Sequence, residues 1–72
     1  MTKKQLIDRI ILYIESCNVF CDGNNYMQAL NSLSEATVSV NSLSNLDPEA
    51  AETFRNQIVT LTNKLSERIN HE

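Results

Sequence analysis

One glycine and one proline punctuate this chain of 72 residues, and their positions, Gly23 and Pro48, leave three uninterrupted stretches. A helix-breaking, φ-permissive glycine ends one helix and admits the next. A proline suits the first position of a helix, where no N–H donor is needed. The chain therefore reads as three helices, at about residues 3–21, 26–44 and 48–70. No stretch alternates polar and apolar residues as a strand does, and no hairpin turn signal occurs. The expected fold class is all-α: a small three-helix bundle forming a single domain over residues 1–72.

Each helix carries its own start signal and inner face. Thr2 and Gln5 stand at capping-box spacing before helix 1, which turns Leu6, Ile7, Ile10, Tyr13, Ile14, Cys17, Phe20 and Cys21 to one side. Leu12 and Val19 fall nearly opposite that side, and apolar residues on a helix back suit an interface. Asp22-Gly23-Asn24-Asn25 forms the turn, with Asn24 or Asn25 available to cap helix 2. Tyr26, Ala29, Leu30, Leu33 and Ala36 make the inner stripe of helix 2, continued by Thr37 and Val40. Its outward positions are Asn31, Ser32, Ser34, Ser39, Asn41 and Ser42, with Met27 and Val38 among them. Between Asp22 and Asp47 the sole charged residue is Glu35, and charge depletion is a property of interface cores. Asp47-Pro48-Glu49 starts helix 3 with an N-cap, a first-turn proline and an acid that complements the dipole. Ala51, Phe54, Ile58, Leu61 and Leu65 then follow a 3-4-3-4 seam, extended by Ile69.

Composition narrows the function classes. A chain this short buries only about 60% of its unfolded surface, so a partner or a second copy is a natural supplement to its core. Its longest apolar run, Ile10 to Ile14, is far short of the ~20 residues of a membrane span. No signal peptide is read at the N-terminus, and the expected location is cytoplasmic. Net charge is −3, with six basic residues scattered among nine acids, which argues against nucleic acid and anionic lipid as partners.

Chemistry has little foothold. Cys17 and Cys21 lie one turn apart, but zinc needs two further ligands, and the only histidine is His71 near the chain end. Both cysteines read as core, and no metal or cofactor is expected. Asp8, Glu15 and Glu35 fall on solvent faces, a nucleophile–base pair is missing, and one glycine cannot cradle a phosphate. No catalytic residue and no small-molecule substrate are expected. Lys4–Asp8, Glu52–Arg55 and Lys64–Glu67 read as exposed helix pairs.

The hairpin around Gly23 resembles a tetratricopeptide-type helix-turn-helix. In that resemblance Tyr13, Cys17 and Phe20 take the first-helix packing positions, and Tyr26, Ala29, Leu33 and Ala36 those of the second. Two features depart from it: Ser16 stands where a leucine is usual, and helix 2 overruns the repeat before Pro48. With a long second helix and a third of the Phe54-to-Ile69 kind, the chain also resembles the microtubule-interacting-and-trafficking (MIT) domain. That resemblance implies a three-helix bundle receiving a partner helix in a groove beside helix 3. Short helical-hairpin co-chaperones of type III secretion needle subunits are similar in length and polarity.

The function expected is protein–protein association by an adaptor, chaperone or inhibitor, with another protein or with itself as a homodimer. The groove is expected between helices 1 and 3 or on the uncharged outer face of helix 2. Leu12, Val19, Met27, Asn31, Ser34 and Val38 are the candidate contact residues. A secretion-type co-chaperone, a self-assembling structural subunit and a cysteine-based metal or redox sensor are the competing readings.

Overall fold

The computed structural model describes residues 1–71 and contains α1 (Lys3–Asp22), α2 (Tyr26–Leu43) and α3 (Pro48–Asn70). Each boundary lies within a residue of the sequence expectation, and no strand occurs among the described residues. The Thr2 capping box forms: the Gln5 N–H donates to the Thr2 hydroxyl at 3.1 Å, and the Thr2 N–H donates to the Gln5 side chain at 2.9 Å. Asp47 caps α3 by accepting the Ala50 N–H at 3.1 Å, with Pro48 in the first turn.

The α1–α2 turn corrects the role given to its glycine. Gly23 has φ −88°, open to any residue, and the left-handed residue is Asn24 at φ 62°. The Asn25 N–H reaches back to the Phe20 carbonyl at 2.8 Å, and the Asn24 N–H to that of Cys21 at 3.2 Å. These are the two bonds of a Schellman closure, with asparagine at the position usually given to glycine. Asparagine tolerates this region because its short amide bonds locally; here its Oδ1 accepts the Tyr26 hydroxyl at 3.0 Å. Asn25 then takes the N-cap position of α2 with no side-chain cap bond.

Ile10, Cys17 and Cys21 of α1, Ala29, Ala36, Val40 and Leu43 of α2, and Ala51 and Leu65 of α3 are at most 1% exposed and form the centre of one core. Tyr13, Ile14, Phe20 and Phe54 pack at its edge, half-buried. The outward assignment of Ser32 and Ser39 does not hold, for both are buried. They lie three residues beyond Ala29 and Ala36, so α2 meets α1 along a strip of small side chains. Volume there outweighs polarity, because small residues let two helix backbones approach. Leu30 and Thr37, assigned inward, are instead exposed. Thr37 donates its hydroxyl to the Leu33 carbonyl at 2.8 Å. Ile69, in the last turn of α3, is also 41% exposed, so the seam stops at Leu65.

The charges at the ends of α1 oppose its dipole. Lys3 and Lys4 occupy the first turn and Asp22 the last, where the opposite signs are favoured. Each end is answered by α3 or its cap. Lys3 Nζ lies 2.7 Å from Asp47, and Asp22 lies 3.7 Å from Lys64 and 3.5 Å from Arg68. Arg68 also donates to the Cys21 carbonyl at 3.2 Å, and Lys64 to the Asn18 side chain at 3.4 Å. Lys64 thus reaches α1 and is not paired with Glu67; the local pairs Lys4–Asp8 and Glu52–Arg55 form, each at 3.5 Å. The result is a narrow body of 39 × 17 × 13 Å, in which α3 lies chiefly against α2 and is fastened to α1 by polar links at both ends.

Candidate functional site

An antiparallel helical hairpin has two broad faces, and α3 covers one of them. The opposite face exposes the seam between α1 and α2, where two shallow grooves follow one another. The first lies between Met1, Leu6 and Arg9 on one side and Val38, Ser39, Ser42 and Leu46 on the other. The second lies between Tyr13 and Phe20 of α1 and Gln28, Asn31, Ser32 and Glu35 of α2. No residue of α3 lines either groove. Leu6, Tyr13 and Phe20 stand seven apart on α1, as do Ser32 and Ser39 on α2, so both walls run along single helix faces.

Local sequence explains the shape. The small Ser32 and Ser39 leave the flank of Tyr13 half-exposed, and Leu6, itself buried, forms the floor of the first groove. Val38, Leu46 and Met1 are 63%, 56% and 66% exposed at the first groove, an apolar rim without a cover. Arg9 and Glu35 are the only charged side chains lining the two grooves. Both are exposed, and neither makes an ion pair among the described residues.

The structure gathers part of the expected contact set here. Asn31 and Val38 line the grooves. Leu12 and Val19 lie exposed on the neighbouring flank of α1, three residues beyond Arg9 and Ser16. Met27, 73% exposed, stands apart beside Asn24, Asn25 and Tyr26, and Ser34 is exposed without lining a groove. Sequence reasoning placed Tyr13, Phe20, Ser32 and Ser39 on one side or the other of an inside–outside division, whereas the seam is lined by residues at that boundary. Their heptad spacing was the available signal.

Cys17 and Cys21 are free and 1% exposed. Burial pushes the Cys17 thiol above its ordinary range; the neighbouring Cys21 adds to this and Lys64 partly offsets it. Among the described residues no group of three or more His, Cys, Asp or Glu is placed to hold a metal ion. His71 is exposed at the C-cap of α3. No helix among them is long and apolar enough to cross a membrane. Comparison with protein-family models, with curated proteins and with solved structures gives no match for this chain.

Proposed function

We propose that this protein is a non-catalytic protein-binding module that takes a helix along the uncovered α1–α2 face. The observation that carries this reading is the pair of aligned grooves, walled by Tyr13, Phe20, Leu6 and Val38, with one charged side chain of each sign. A helix laid along such a groove buries apolar anchors at i, i+3, i+4 and i+7 spacing, and half-buried aromatics are the side chains that give most on burial. The groove beside α3 that the MIT-like resemblance implies is less suited to a guest. On the α1 side of α3 it is spanned at one end by Lys3–Asp47 and at the other by Lys64 and Arg68 with Asp22. On the α2 side it is a short hollow at Leu30, Leu65 and Ile69 near the end of α3. A thiol sensor needs reachable sulfurs, and both sulfurs here belong to the core.

The test is selection of amphipathic helical peptides displayed against the intact chain, followed by measurement of binding to Val38→Glu and Tyr13→Ala variants. Binders that lose affinity at least about tenfold on both variants, with helicity unchanged, support the reading. Binders indifferent to both substitutions, or no binder to a chain that is monomeric during the selection, sink it.

A further inference from the structure

Resting on that reading of the α1–α2 face, we infer that its occupant is a second copy of the same chain, docked about a two-fold axis running along the seam. Such an axis lays each α1 over the partner's α2, because rotation about a line parallel to the helices exchanges left and right but keeps level and direction. An isologous contact requires a surface complementary to itself. This face meets that requirement through its two unpaired charges: Arg9 is carried by α1 and Glu35 by α2.

Arg9 shares a groove with Val38 and Ser42, so it lies level with α2 about a turn beyond Glu35, which shares the next groove with Tyr13. Under the proposed rotation each Arg9 meets the opposing Glu35 within about one helical turn, roughly 6 Å along the axis and within reach of the two side chains. The pair forms twice, once on either side of the axis. A two-fold set across the seam would lay α1 over α1 and bring like charges together, so the charge pattern selects one arrangement of the two. No other charged side chain lines the two grooves, which limits the desolvation cost of closure.

The size of the face is adequate. α1 has 20 residues, which makes it about 30 Å long, and two helices side by side span about 20 Å. A projection on the order of 600 Å² compares with the roughly 800 Å² of accessible surface each partner contributes to a standard interface. The product is a four-helix core of two hairpins with an α3 on each outer side.

Sedimentation of the full chain, alone and with charge-swapped variants, tests this. The wild type is expected to be dimeric, and Arg9→Glu and Glu35→Arg each weaken self-association at least about tenfold by opposing like charges twice. Mixed one to one, the two variants restore a dimer, since each supplies the charge the other lacks. The doubly swapped chain pairs with itself and not with the wild type. Both residues are exposed, and circular dichroism verifies that every variant keeps its helices. A wild type that stays monomeric, single variants that associate as the wild type does, or a mixture that fails to recover would overturn the inference. A monomer that still binds selected helices in a Val38-dependent way leaves the helix-binding reading standing; a monomer that binds none removes both.

Discussion

At the scale of the residue, the turn at 22–25 shows how conformation and composition part company. The glycine is the conspicuous breaker, yet Asn24 carries the left-handed φ of 62° while Gly23 stays at −88°. A Cβ on Gly23 would meet its nearest neighbours at 3.5 Å, an ordinary contact. Gly23→Ala is therefore expected to stabilise the fold by about 0.4–1 kcal/mol, by narrowing the unfolded chain. Asn24→Ala is expected to cost about 1–2 kcal/mol, since alanine has no local bond to offset the left-handed backbone. Urea unfolding of the pair checks the assignment; stabilisation by Asn24→Ala would overturn the role of Asn24, and loss by Gly23→Ala alone would return the turn to the glycine. The sequence showed that a turn stands here, but which residue bends was hidden because Asn and Gly both tolerate the conformation.

At the scale of the element, α1 depends on its neighbours to offset its own ends. Its lysines sit at the positive end of the helix dipole and Asp22 at the negative end. The Asp47 carboxylate serves two helices, accepting the Ala50 N–H at the start of α3 and the Lys3 ammonium 2.7 Å away. The hydrogen bond from Lys3, then that from Ala50, hold its pKa below the ordinary carboxylate value. A carboxylate whose folded pKa is depressed contributes stability above its unfolded value of about 3.9, and that contribution is lost as pH falls through the folded value. The wild type should accordingly melt above Asp47→Asn at neutral pH, with the gap closing below about pH 4. A gap of the same size at pH 2 and pH 7 would show that the ion pair has no part in it. The caps at Thr2 and Asp47 were legible because they are local, three residues from donor to acceptor. The Lys3–Asp47 tie spans 44 positions and has no local signature.

At the scale of the whole molecule, the core is small and each of its members matters. Ile10 is fully buried between the helices, and Ile10→Ala is expected to cost about 2–5 kcal/mol through lost burial and the cavity left behind. Small domains carry only about 3–5 kcal/mol in all, so the variant should lose its cooperative thermal transition. An unchanged melting curve would mean that Ile10 is not at the centre of the fold. The three helices, their boundaries and the inner faces of α1 and α3 down to Leu65 followed from the chain itself. Apolar spacing at 3.6 residues, caps and a single proline act within one turn and need no knowledge of neighbours. Only tertiary structure decided that Ser32 and Ser39 are buried, that Leu30 is not, and that α3 covers one hairpin face and leaves the other open. Those outcomes depend on which volumes meet across helices. Side-chain polarity along the chain does not encode how closely two backbones approach.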